Sequence, residues 1–305
     1  MPGMVPLIVK KSLALRGESA YTVRSMTELS TERRMWSLFE PVHAVTYFAA
    51  DALGAFEEAG LRGFWRGYFA GRGAPLGAVP AGPVIAAFYG FAPRMVTRAL
   101  PDVWTRITPE AALAARLEGS RRVLLKVDGD LTEVASLLRA AAEAADLHGR
   151  VLGAANAMLP WPEDPAGVLW QAATVLREHR GDGHNAALLV EGLDGAECNA
   201  WRVALLDGGG REFYQPARGW TDEEWAAAID RLRGRGWLDP EGKATGRARE
   251  AYTSVERTTD ALAATPWRAL GETATARCAE LLRPIAVQAS ALLRHPNPIG
   301  LQPLS

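Results

Sequence analysis

Apolar residues between Pro165 and Arg180 recur every three or four positions, at Val168, Ala172, Val175 and Leu176. That is the period of an α-helix with one buried face, not the two-residue alternation of a strand. The same period runs through the segment opening at Ser30 or Thr31, where Met35, Trp36, Leu38, Phe39 and Val42 share a side, with Pro41 placed to kink its end. The alanine-rich run from Leu131 to Asp146 is also strongly helical. Segments of this kind bury themselves against one another, so the expectation is a mainly α protein.

Length decides how many cores they build. A chain of 305 residues, 48% hydrophobic and 23% charged, is globular and long enough for two modest cores. The rigid joint Leu159-Pro160-Trp161-Pro162 is the expected boundary, giving a first domain over 30–160 and a second over 161–305. Residues 1–29 read as an N-terminal extension. Within the first domain a helix is expected from about Ala49 to Glu58, closed by Gly60, then a glycine-rich turn from Gly63 to Gly77. Two short helices, Val84–Tyr89 and Ala92–Leu100, meet at Gly90 in the outline of a helix-turn-helix, and Thr108-Pro109 opens another helix with a cap and an N1 proline. Met35-Trp36 and the glycine-closed helix near Glu58 are answered in order by Leu169-Trp170 and Val190-Glu191-Gly192, which points to an internal duplication.

Charge and cysteine usage narrow the function. The net charge of -1 and pI near 6.6 give no global basic bias of the kind that non-specific nucleic-acid binding draws on. Cys198 and Cys278 form no CxxC pair and read as buried thiols of a reducing cytoplasm. No apolar run approaches the roughly 20 residues of a membrane helix. The ten tryptophans fit inter-helical joints.

One stretch concentrates titratable groups, Arg177-Glu178-His179-Arg180-Gly181-Asp182-Gly183-His184. Gly181 stands where a helix end wants a left-handed residue, and Asp182 where the next helix, running to about Leu193, wants an N-cap. His179 would then hang at the negative end of one helix dipole and His184 in the first turn of the next, so their pKa values should part. Arg177 and Glu178 are expected to be solvated. Farther back, His43 and Tyr47 stand four apart, which on a helix sets imidazole beside phenol. The Gly63–Gly77 segment surrounds Arg66 and Arg72 with glycine and could cradle an anion, but it matches neither a Walker A loop nor a dinucleotide fingerprint, so no cofactor is named.

Gly219-Trp220-Thr221-Asp222-Glu223-Glu224-Trp225-Ala226, followed by Arg233-Gly234-Arg235-Gly236-Trp237-Leu238-Asp239-Pro240-Glu241-Gly242-Lys243, resembles a MarR-type winged helix, with Asp239–Gly242 as the turn of the wing. Together with Glu40-Pro41-Val42-His43-Ala44-Val45-Thr46-Tyr47 and the His179 stretch, residues 31–290 resemble an actinobacterial family labelled helix-turn-helix. The resemblance implies two degenerate winged-helix-like halves with a long C-terminal helix and a minor β wing. It brings no reaction with it. Asp222, Glu223 and Glu224 would face phosphates with three negative charges. Between Trp201 and Trp220, a glycine-rich loop and a short strand over Phe213-Tyr214-Gln215 would leave little room for a supporting helix.

The leading reading is therefore a cytoplasmic small-molecule-binding protein, acting by non-covalent acid-base chemistry on a natural-product-like intermediate, on a scaffold that has lost DNA binding. His179 and His184 would carry protons with Asp182 orienting one of them, and His43 and Tyr47 would form the opposite wall. Arg180, Arg72 and Arg66 would hold an anionic or carbonyl oxygen. A transcriptional regulator touching DNA through Arg94 and Arg98 is the alternative, and a metal held by His43, His179 and His184 is a third reading. The C-terminal helix, from about Thr273, packs in cis or forms a homodimer.

Overall fold

The computed structural model describes residues 29–206, 210–295, 297, 299, 301, 303 and 304. The expected extension lies outside these residues except for Leu29. The described chain is mainly helical: α1 (Thr31–Phe48), α2 (Ala50–Glu58), α3 (Phe64–Gly73), α4 (Ala81–Phe88), α5 (Pro93–Thr97), α6 (Pro109–Leu124), α7 (Thr132–Glu143), α8 (Val151–Ala157), α9 (Pro165–Val190), α10 (Gly195–Leu205), α11 (Arg211–Arg218), α12 (Asp222–Gly234), α13 (Gly246–Leu262), α14 (Thr265–Leu270) and α15 (Glu272–Ala291). Local chemistry sets most of the starts. Ser30, Thr108, Asp164, Asp194, Thr221 and Thr245 each accept a backbone N–H of the helix that follows, and Asp194 and Thr221 complete capping boxes with Glu197 and Glu224.

Two apolar clusters organise these helices. The larger gathers residues from Met35 to Leu176 and is completed by Trp267, Cys278, Leu282, Ile285, Ala289 and Leu293, because α14 and α15 return to pack on α1 and α7. The C-terminal helix thus buries its apolar face within its own chain. Helices come close where side chains are smallest: a Cβ on Gly119 of α6 would stand 2.8 Å from the Cα of Ala52 in α2. The smaller cluster runs from Ala187 to Val255 and is built on Trp201, Trp225, Leu232, Trp237 and Leu238, with the Trp201 and Trp237 rings 4.7 Å apart. α9 enters both clusters, contributing Leu169 to Leu176 to the first and Ala187 and Leu188 to the second.

Three local expectations are corrected. Gly63–Gly77 is not an open turn, since Phe64–Gly73 forms α3 and Arg72 is buried. Its glycines serve contact: Cβ atoms on Gly67 and Gly71 would press on the Phe56 ring. Phe213, Tyr214 and Gln215 are helical, in α11, so α10, α11 and α12 follow one another in the order of a helix-turn-helix with its supporting helix. The three-residue turn Gly219-Trp220-Thr221 joins α11 to α12, with Gly219 left-handed at φ 79°. The bridge Leu238–Ala244 closes a short hairpin after α12, and among the described residues it is the one β-bridge outside helices. The third correction concerns α9, which runs unbroken through Gly181 and Gly183.

Candidate functional site

The reason α9 does not break lies on a neighbouring helix. Neither Gly181 nor Gly183 adopts a positive φ, so neither acts as a cap. A Cβ on Gly183 would overlap the guanidinium of Arg150, which crosses there to donate to the carbonyls of His179 (3.0 Å) and Leu262 (2.7 Å). Asp182 is a capping residue, but for α8: its Oδ2 accepts the N–H groups of Leu152 and Gly153, each at 2.8 Å. Its burial pushes the carboxyl up to about 6, against the pull of those N–H groups.

A continuous helix turns each residue about 100° from the last, so the dense stretch cannot converge on one point. It sends its side chains to five neighbours instead. Arg177 meets Glu40 of α1, Glu178 meets Arg72 of α3, His179 meets Asp146 just past α7, Arg180 and His184 face α13, and Asp182 serves α8. The expected dipole contrast between the two histidines falls away, because both sit in mid-helix. Two polar groupings result, one inside the first core and one at its edge.

The inner grouping centres on Glu178, which is buried, not solvated. Arg72 grips it with two bonds, Nε to Oε1 at 2.9 Å and Nη2 to Oε2 at 3.0 Å, and Arg177 adds a third at 2.9 Å. Burial alone would raise the Glu178 carboxyl, but Arg177 and Arg72 outweigh it and hold the group below the usual carboxylate range. Glu40, 3.5 Å from Arg177 and bonded to Trp36 Nε1, is pushed up by burial. Tyr68 accepts from Arg72 at 3.2 Å, and Tyr47 stands edge-on to His43 with ring centres 5.2 Å apart. His43 is 1% exposed and its pKa is driven down by burial and by Arg177. So Arg72, His43 and Tyr47 do come together in one interior. Arg66 does not join them: it is exposed and bonds Arg62 O at 3.4 Å.

The outer grouping borders a shallow surface cleft between α1, α9 and α14. Phe39, Leu176, Pro266 and Trp267 make its apolar walls, and Glu32, His179 and Arg180 line it as well. His179 Nε2 meets Asp146 Oδ1 at 3.1 Å. Its pKa is lowered by burial first and then by Arg150, with Asp146 opposing. Arg180 donates through Nη2 to Asp260 at 2.6 Å, while its buried Nη1 has no partner. His184 lies apart, its Nδ1 3.0 Å from Thr259 Oγ1. Sequence reasoning missed Asp146 and Trp267; the apolar spacing that places Trp267 beside a helix start gives no sign of what it faces.

The three histidines of the metal reading each meet a different partner, Thr174, Asp146 and Thr259. Among the described residues no three His, Cys, Asp or Glu side chains are grouped as a metal site requires. Both cysteines are free thiols, Cys278 buried and Cys198 half-buried. No helix of the described residues is long and apolar enough to cross a membrane.

The helix-turn-helix carries its own evidence. Up to Asp230 the outward residues of α12 are Asp222, Glu223, Ala226, Ala227 and Asp230, none of them a donor to a base edge or a phosphate. Arg231 and Arg233, farther along, bond Asp194 (2.6 Å) and Asp230 (3.2 Å). Its N-terminal end is occupied by the chain itself: Arg94 of α5 pairs with Glu224 at 2.8 Å and bonds Gly219 O, and Met95 packs against Gly219. The strap before α5 adds three bonds, Ala92 N to Arg218 O at 2.9 Å and Gly90 O from Asn199 (2.9 Å) and Trp220 (3.0 Å). Arg94 is thus spent within the molecule, and Arg98 lies over the Trp65 ring at 5.8 Å.

Comparison with known proteins agrees with this architecture. A family model described as a helix-turn-helix family matches residues 32–293, and the chain belongs to that family. No curated protein and no solved structure matches it.

Proposed function

We propose that this member of the helix-turn-helix family binds a small organic acid or carbonyl compound in the cleft between α1, α9 and α14 and moves a proton on it. The reading is carried by Arg180 Nη1, a buried guanidinium N–H without a hydrogen-bond partner, on a residue that borders the cleft as His179 does. An unpaired buried donor is costly, and a ligand oxygen would satisfy it. Asp146 takes the Nε2–H of His179, which leaves Nδ1 as the ring nitrogen for a substrate proton. The depressed pKa keeps that nitrogen unprotonated near neutrality. Phe39 and Trp267, stacked at 6.2 Å, supply apolar walls. As it stands the cleft encloses no room even for a water molecule, so a small acid, or one end of a larger, natural-product-like molecule, would enter only as its walls part.

α10 to α13, with the Leu238–Ala244 bridge, we take as a winged helix of the MarR-like kind whose DNA-reading surface has turned acidic. Native mass spectrometry of protein from its own host tests the ligand reading. A bound organic molecule lost in Arg180→Ala, with helical circular dichroism unchanged, is the expected result; a molecule retained in that variant overturns the assignment to the cleft.

The second reading, a DNA-binding regulator, is favoured by the order of α10, α11 and α12 and by the family. It requires a salt-dependent shift of duplex DNA that is lost when the outward face of α12 is altered. The three outward carboxylates of that helix argue against it.

A further inference from the structure

Two charged side chains, Arg180 and Glu32, line the cleft between α1, α9 and α14, and they do not stand on equal terms. Arg180 already has counter-charges: its Nη2 donates to Asp260 at 2.6 Å, and Glu256 stands 3.8 Å from the same nitrogen. Arg33 shares both carboxylates, pairing with Glu256 and lying 3.5 Å from Asp260. Behind His179, Asp146 faces Arg150 at 3.6 Å, and burial keeps the imidazole itself uncharged near neutrality. Arg33, Arg150 and Arg180 thus balance Asp146, Glu256 and Asp260.

Glu32 is the charge left over. It is half-buried, and among the described residues it has neither a hydrogen bond nor an ion pair. The first turn of α1 suits an anion because the helix dipole is positive there, but the dipole supplies no counter-ion. Ser30 fixes the position. Its Oγ accepts the N–H of Arg33 at 3.1 Å and donates to Asp260 at 2.8 Å, which pins the start of α1 against α13. One opening is therefore bordered by two unlike poles, the residue whose Nη1 lacks an acceptor and a carboxylate that lacks a cation, with Phe39, Leu176 and Trp267 as apolar wall.

We propose that the ligand of this cleft carries an ammonium group as well as a carboxylate or carbonyl oxygen, and that Glu32 is the residue that selects it. The class is an amino acid with an apolar side chain, or a larger molecule that ends in one. As the walls part, its ammonium meets Glu32, its oxygen meets Arg180 and its apolar body lies on Phe39 and Trp267. An acid without the amine would leave Glu32 facing a like charge. The inference rests on the ligand reading of the cleft and adds to it the charge that the ligand must bring.

The test is titration of the full chain near neutral pH, followed by saturation-transfer NMR, with three probes of one skeleton: phenylalanine, hydrocinnamate, which lacks the amine, and phenethylamine, which lacks the carboxylate. Phenylalanine is expected to bind about tenfold more tightly than either, the worth of one charge-assisted contact. Glu32→Gln should bring phenylalanine down to the level of hydrocinnamate without weakening hydrocinnamate, and Arg180→Ala should weaken both. The comparison of probes on the wild-type protein needs no variant to fold. Hydrocinnamate binding as tightly as phenylalanine overturns the ammonium requirement, and leaves the cleft reading standing where Arg180→Ala still weakens both. Tight phenylalanine binding unchanged in Glu32→Gln overturns the role of Glu32. Binding indifferent to Arg180→Ala overturns the cleft reading itself, and binding of none of the three overturns the amino-acid class.

Discussion

The two apolar clusters share α9 but are built on opposite terms. The smaller is an aromatic core of Trp201, Trp225 and Trp237 in which one charged side chain, Glu197, is buried and is faced by Arg231 and Arg235 from the rim. The larger buries Arg72, Arg116, Glu40, Glu178 and His43, with Arg177 half-buried beside them. Buried ion networks add little stability over apolar residues of the same volume. A core needs no such network to fold, so the contrast marks the larger unit as the one whose buried residues packing alone does not call for.

The sharpest way to break the comparison is to remove one group from each core. Glu178→Ala leaves the buried Arg72 and half-buried Arg177 without their shared carboxylate and should cost about 3–5 kcal/mol. Trp225→Ala should cost a similar amount, about 3–5 kcal/mol, by opening a cavity. The two differ in cause, so their urea midpoints should differ in salt response: raised chloride partly rescues Glu178→Ala and does nothing for Trp225→Ala. Equal rescue of both would erase the distinction drawn between the cores.

A somewhat smaller effect is written in pH. The Asp182 carboxyl rises from 3.8 to about 6 on folding. Between those values the folded chain holds a proton that the unfolded chain has released, so this contribution to stability is full below about pH 4 and is lost as pH rises through 6. At 1.36 kcal/mol per unit the loss is about 3 kcal/mol. Urea midpoints from pH 4 to 7 should show a steeper fall in wild type than in Asp182→Asn, and parallel curves would contradict the buried carboxyl.

The smallest effect belongs to the strap. Arg94→Ala removes an exposed pair with Glu224 and should leave the unfolding midpoint unchanged, because surface ion pairs contribute little. Its informative readout is hydrogen exchange in the first turn of α12, which should quicken. Unchanged exchange there would mean that the backbone bonds of Gly90 and Ala92 hold the strap alone.

What the sequence made legible was what depends on near neighbours. Ser30, Thr108 and Thr221 announce their helices because cap and capped N–H lie within three residues, and Met35 to Val42 announce a buried face by spacing alone. The turn after Trp237, closed by the Leu238–Ala244 bridge, was readable for the same reason. Gly181 was misread as a boundary because a mid-helix glycine and a capping glycine look alike in sequence, and the contact that asks for a glycine in this stretch, Arg150 against Gly183, comes from a distant part of the chain. Phe213–Gln215 carries aromatic residues that favour strands, and tertiary packing beside α10 and α12 made it helical. Glu178 looked solvated since nothing local signals Arg72, whose partnership depends on how α3 crosses α9. Among the site residues, the pairing of His43 with Tyr47 was visible in a four-residue spacing, whereas the company each keeps was not.

The uninterrupted course of α9 has a consequence for how this chain can vary in length. From Leu176 to Ala187 the helix addresses five neighbours in turn, each at its own angle. One residue inserted or deleted there would rotate everything downstream by about 100° and shift it by about 1.5 Å. Arg180 would leave Asp260, Asp182 would leave α8, and the helix-turn-helix would be re-aimed relative to the larger core. Substitutions along this segment can fail one at a time; a change of length fails all at once, which makes the stretch a fixed ruler against which the rest of the molecule is spaced.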